Sequence, residues 1–180
     1  MSCKQCYEYL KSFVIEDAEL FDVIKQDIDD KNVEKNKNTC SVKIQFALRT
    51  QTNLAIDVFR CVNIPIFKQN EIPESQVIIE LWKSNTKVTQ RSTEFKLNTR
   101  DPSFGRRFLF TISDGNIQRH FIRVLVATKK RGWLKNTISL VAETFIGIPK
   151  LEVRGSAHYS WYKMTIIGMP FAQEPKPSKN

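Results

Sequence analysis

The 180-residue sequence has no apolar run approaching the roughly 20 residues that a membrane-spanning helix needs. Its N-terminus, MSCKQCYEYLKSF, lacks the charged-then-apolar layout of a secretory signal, so a cytoplasmic chain is expected. Cysteine is scarce and scattered, at Cys3, Cys6, Cys40 and Cys61, which excludes a disulfide framework and agrees with a reducing compartment. Cys3-x-x-Cys6 has no second close pair to complete a zinc site, and two cysteines on one helix face is the better reading. The two histidines, His120 and His158, stand without a Gly-x-Ser-x-Gly, a His-Glu-x-x-His or a phosphate-cradling glycine loop. These absences argue against an enzyme, and no cofactor is expected.

What is present in excess is positive charge. The net charge is +9, unevenly placed: residues 1–39 carry six lysines and nine acids, net −3, which leaves +12 on residues 40–180. A field of that sign favours a polyanionic partner, whether nucleic acid, an anionic membrane surface or an acidic protein.

Hydrophobic periodicity divides the chain. Cys6, Leu10, Phe13, Leu20, Phe21, Ile24 and Ile28 recur at three- and four-residue steps, which predicts an amphipathic helix within residues 1–30. Its stripe must be covered, by docking or by a protein partner. The polar, Asn-rich residues 31–39 read as a flexible linker, and the Pro-rich residues 167–180 as a disordered tail. Between them, residues 40–166 switch to period two. Val42, Ile44, Phe46 and Leu48, then Leu54, Ile56 and Val58, form a hairpin around TQTN. Strand-like runs follow at 76–82, within 86–97, and at 106–112, 120–127, 137–148 and 159–164. The expectation is all-β: an eight-stranded antiparallel β-sandwich of Greek-key type with Trp161, Phe108, Phe110, Ile56 and Val124 in the core.

The ordered segments resemble C2 domains of the synaptotagmin type. SVKIQFALRTQTNLAIDVFRCVNIPI is similar to the family's first two strands, and TRDPSFGRRFLFTI to its Asn-Pro-x-Phe turn and Phe-x-Phe strand. ISLVAE stands where the family has an Ile-Gly-Glu strand, with Ala142 replacing Gly, and YSWYKM resembles the closing Trp-Tyr-x-Leu strand. The resemblance covers about residues 40–165 and implies a membrane- or protein-binding module in trafficking or signalling, peripheral at the cytosolic face of membranes.

Better-known members of that family bind Ca²⁺ through loop aspartates, because a hard dication needs several carboxylate oxygens. Here the corresponding positions fall on Lys68 and Glu74 and near Thr128 and Lys130, and no acid occurs from Gly115 to Ala142. The resemblance therefore implies Ca²⁺-independent binding of anionic phospholipids. Its loop contacts would be Phe67, Lys68, Lys129, Lys130, Arg131, Trp133 and Lys135, with the Trp133 ring at headgroup level and the cations near phosphates. A second patch, on a basic strand with Lys87, Arg91 and Lys96, would suit phosphoinositide headgroups; a solvated edge strand is the plainer alternative. A protein-interaction scaffold without lipid binding is the competing function. Nucleic-acid binding is weaker, since only Phe95 accompanies the basic strand as a stacking surface.

Overall fold

Alternation of apolar and polar residues builds the central strands of the domain. The computed structural model describes residues 39–66, 74–97, 99–130 and 136–167, all within the unit Lys37–Asn180. The expected helix of residues 1–30, nearly all of the linker and the Pro-rich tail lie outside the described residues. The strands are β1 (Ser41–Thr50), β2 (Asn53–Val62), β3 (Glu74–Lys83), β4 (Thr86–Ser92), β5 (Ser103–Thr111), β6 (His120–Lys130), β7 (Thr137–Gly147), β8 (His158–Lys163) and β9 (Thr165–Ile166). They form two antiparallel sheets, ordered β5-β2-β1-β8 and β4-β3-β6-β7-β9, which face each other across one core.

The inward row of the central strands is the apolar row of the sequence. Val42, Ile44 and Phe46 of β1 meet Leu54, Ile56, Val58 and Cys61 of β2 on one side; Val77, Ile79 and Leu81 of β3 meet Ile122, Val124 and Val126 of β6 on the other. Val58 and Cys61 are three apart and would point to opposite faces in a regular strand. A bulge opposite Lys43 and Ile44 takes up the odd residue, Phe59, and returns both to the core.

Two expectations are corrected. Nine strands form rather than eight, because the chain changes sheets at the closing segment. The Met164 side chain is buried at that corner, its N–H donates to the Cys40 carbonyl at 2.9 Å, and Thr165–Ile166 then pairs with β7. Trp161 is half-buried on the outer face rather than in the core. It pairs with the outward Lys43, whose ammonium lies 5.8 Å from its ring, while its neighbour Tyr162 turns inward and meets Phe46 edge-on at 6.2 Å. The other four expected core residues, Phe108, Phe110, Ile56 and Val124, are buried.

Adjacent residues on β5 test the inward phase. Phe110 is 1% exposed and Leu109 is 61% exposed. Phe110→Ala is expected to lower stability by about 3–5 kcal/mol, because a large cavity opens in the core, and Leu109→Ala by about 0.5 kcal/mol or less. Denaturant titration of both variants measures the contrast.

Burial also sets the chemistry of the two core cysteines. It pushes the Cys40 thiol up to about 12, against a pull downward from Arg100, and pushes Cys61 up well above its ordinary value, with Cys40 adding to the effect. Each folded thiol thus holds its proton more tightly than the unfolded one. The contribution of Cys40 to stability is complete below about pH 9 and is lost as pH rises toward about 12, at up to about 1.4 kcal/mol per pH unit, and that of Cys61 is likewise lost only at alkaline pH. At pH 8, site-resolved mass spectrometry is expected to find Cys40 and Cys61 unalkylated in the native protein and modified in denaturant.

Candidate functional site

Three connecting segments meet at one end of the sandwich, held there by backbone bonds. Asn63 leaves β2 in a left-handed turn with φ of 56°, a conformation asparagine tolerates better than most residues. Its N–H donates to Asp101 Oδ1 at 2.7 Å and its side-chain amide to the Thr39 carbonyl at 3.1 Å. The Ile64 N–H donates to the Arg100 carbonyl at 3.0 Å, and Arg100 Nε returns a bond to the Ile64 carbonyl at 3.1 Å. These contacts tie the β2–β3 connection to the β4–β5 connection. Ser75 and Lys96 exchange two backbone bonds of 2.9 and 2.8 Å, which ties the latter to the start of β3. Glu74 pairs with Lys129, and Lys129 with Ile138, which brings in the end of β6 and the start of β7.

Exposed aliphatic and basic side chains are prominent at this end. Ile66, Leu97 and Ile138, one from each connection or its flank, are 37%, 55% and 56% exposed. The same segments carry Lys96, Arg100, Lys129 and Lys130. Lys129 lies along the outer surface with its ammonium 3.9 Å from Glu74 and 5.4 Å above the Phe95 ring. The carboxylate of Glu74 therefore faces a cation, and that of Asp101 accepts a backbone N–H. Among the described residues, no three His, Cys, Asp or Glu side chains are grouped so that they could hold a metal ion.

Of the loop residues expected from the sequence, Lys129 and Lys130 stand at this end; Phe67, Lys68, Arg131, Trp133 and Lys135 lie outside the described residues. The three aliphatic residues were not singled out from sequence. The available signal was an apolar residue inside a polar connection, as Leu97 is in TEFKLNTRD.

The structure separates Lys87, Arg91 and Lys96. Residues four apart on a regular strand share a face, but β4 carries a bulge at Val88: Leu81 pairs with Thr89 and Trp82 with Lys87. Lys87 consequently sits on the outer face beside Trp82. Arg91 lies opposite the inward-facing Ile79 and leaves the edge strand on the other side, bonding Thr89 Oγ1 and the Gln90 carbonyl. Lys96 follows the end of β4 and belongs to the end just described.

The outer face that Lys87 joins is charge-balanced. Glu80 accepts from Lys87 Nζ at 3.2 Å and Trp82 Nε1 at 2.9 Å, and lies 3.5 Å from Arg123. Arg123 donates twice to Glu143, at 2.9 and 2.6 Å. Two cations thus meet two anions, beside a ladder of Trp82, Phe121 and Phe145 with ring centroids 6.2 Å apart at each step.

No family model and no curated protein matches the sequence. Solved structures match the fold. The chain is similar to the C2 A domain of RIM from Drosophila, with a TM-score of 0.58 and 12% identity, covering 71% of this chain and 99% of that one. The corresponding domain of RIM2 matches with a TM-score of 0.55 and 12% identity, over 71% and 98%. The first C2 domain of human synaptotagmin XIII matches with 0.54 and 9%, over 75% and 93%. Two antiparallel sheets in this order, with three connections gathered at one end, therefore have the fold of C2 domains.

Proposed function

We propose that the domain is a Ca²⁺-independent C2-type module that binds anionic phospholipid surfaces through the end of the sandwich carrying Ile66, Leu97 and Ile138. The observation that supports it most is the convergence of three exposed aliphatic side chains and four cations on one end, from segments far apart in sequence. Aliphatic groups gain free energy on entering the acyl boundary, while Lys and Arg near the headgroup phosphates contribute about 1 kcal/mol each. Phe67, Lys68, Arg131, Trp133 and Lys135 extend the same chemistry within the two connections that these residues flank.

Ca²⁺ independence rests on the acids. Glu74 faces Lys129, Asp101 serves a backbone N–H, and the other positions where the resemblance asks for carboxylates are Lys68, Thr128 and Lys130. The cations already present do for an anionic surface what bound Ca²⁺ does elsewhere. The charge-balanced face beside Lys87 is the less favourable headgroup site, because Glu80 and Glu143 compete there with any incoming phosphate.

Partitioning onto vesicles of neutral lipid with and without phosphatidylserine, in Ca²⁺ and in chelator, tests the proposal. Wild-type protein is expected to bind only the anionic vesicles, equally in both conditions. The Leu97→Ser, Ile138→Ser double variant is expected to lose about tenfold in partitioning at every salt concentration, because it removes apolar contact. The Lys96→Ala, Lys130→Ala double variant is expected to lose a similar factor at low salt and little at high salt, where screening already suppresses those charges. Binding that requires Ca²⁺ would contradict the proposal. Absence of wild-type binding to every vesicle would leave a protein-interaction scaffold as the function.

A further inference from the structure

At the opposite end of the sandwich, two arginines converge on one cleft for reasons visible in the backbone. Arg49 is the extra residue of a bulge: Leu48 pairs with Leu54 and Thr50 with Asn53, which leaves Arg49 without a cross-strand mate and re-aims its side chain. Arg154 lies in the β7–β8 connection with φ of 59°, a left-handed conformation unusual for a residue with a long side chain. A parallel bridge between Leu48 and Val153 and a 2.9 Å bond from the Arg154 N–H to the Leu48 carbonyl dock that connection against the end of β1. Gly155 closes the turn, because a Cβ there would meet the Glu152 Cβ at 2.8 Å.

The result is an open cleft of about 540 Å³ lined by Arg49, Thr50, Gln51, Thr52, Val153 and Arg154. No acidic side chain is among those lining residues, and neither guanidinium makes an ion pair with any described residue. The Thr50 and Thr52 hydroxyls, from two of its lining residues, stand 3.5 Å apart. Several cations elsewhere on the domain sit against acids: Arg107 grips Asp57 with bonds of 2.6 and 2.9 Å, Arg123 grips Glu143, and Lys83 lies 2.7 Å from Asp114. The cleft brings two guanidinium forks together with no acid among its lining residues.

We propose that the cleft between Arg49 and Arg154 binds the phosphate group of a phosphorylated side chain on a partner protein. A phosphomonoester carries a charge of about −1.5 to −2 and three acceptor oxygens, enough to engage two guanidinium forks and a hydroxyl together, whereas one carboxylate saturates a single fork. The choice of a protein over a lipid headgroup rests on the membrane reading above. β1 runs ten residues, on the order of 30 Å, from the aliphatic end to the cleft, so a domain seated by Ile66, Leu97 and Ile138 turns the cleft away from that surface.

Amide chemical-shift mapping on the whole chain is the test, with three probes: inorganic phosphate, a phosphoserine peptide and its unphosphorylated form. Expected are shifts confined to residues 48–54 and 152–155 with both phosphate-bearing probes, tighter binding of the peptide than of the free ion, and no response to the unphosphorylated peptide. Arg49→Gln with Arg154→Gln should weaken phosphopeptide binding at least tenfold. Arg49→Lys with Arg154→Lys should weaken it by an intermediate factor, because charge is kept and the forks are lost. Anionic-vesicle partitioning of the Gln variant should match wild type. Equal binding of the two peptides, shifts centred on Lys129 and Lys130, or unchanged affinity in the Gln variant would overturn the assignment. So would a parallel loss of vesicle partitioning, which would make a lipid headgroup the source of the phosphate. Failure of the membrane reading registers separately, in the Leu97 and Ile138 variants.

Discussion

A strand in a two-layer sandwich can commit only every second side chain to the core, and this constraint organises the molecule. Val42, Ile44 and Phe46 face Val77, Ile79 and Leu81 across one interior because each row is the same parity of its strand. The opposite parity is then obliged to face water or be satisfied in place. Asp57 and Arg107 do so as a bidentate pair on one sheet; Glu80, Lys87, Arg123 and Glu143 do so as a network on the other. Buried or half-buried charges of this kind are tolerated because they are matched, and breaking one leaves its partner exposed to the cost of poor solvation. The broad faces are therefore largely occupied by their own chemistry.

Two further groups of side chains lie at the two ends, where the alternation stops. The two ends differ in kind. One carries aliphatic groups among cations, the combination that suits the boundary between water and acyl chains. The other carries two guanidinium groups and hydroxyls with only Val153 as an apolar liner, a combination that suits a compact anion. Separation by the length of β1 allows both to be occupied at once, so a domain resting on an anionic surface would still offer Arg49 and Arg154 to a second partner. Such a module would join a surface to a protein rather than merely decorate it.

Most of the fold was legible because one face of most strands meets the core. The hairpin of β1 and β2 and the phase of Phe108 and Phe110 follow directly from alternation. Trp161 was misplaced because Trp161 and Tyr162 are both large and amphipathic, and only pairing with Lys43 and Val42 decides which turns inward. β9 is two residues long, too short for any periodicity. At the candidate site, Lys129 and Lys130 could be read as a basic run, whereas the grouping of Lys87 with Arg91 failed to show the bulge at Val88 that parts them. Arg49 and Arg154 are 105 positions apart, and nothing local to either announces the other; a bulge and a left-handed residue bring them together.

The central claim is that function resides at the ends and not on the faces. Residue-by-residue NMR of the labelled chain, titrated with small anionic bicelles in the presence of a Ca²⁺ chelator, tests it most directly. The account predicts that perturbation gathers at Ile66, Lys96, Leu97, Arg100, Lys129, Lys130 and Ile138, while Lys87, Phe121 and Phe145 stay silent and Arg49 and Arg154 are untouched. Perturbation centred on the Trp82, Phe121 and Phe145 ladder, or none until Ca²⁺ replaces the chelator, would contradict it.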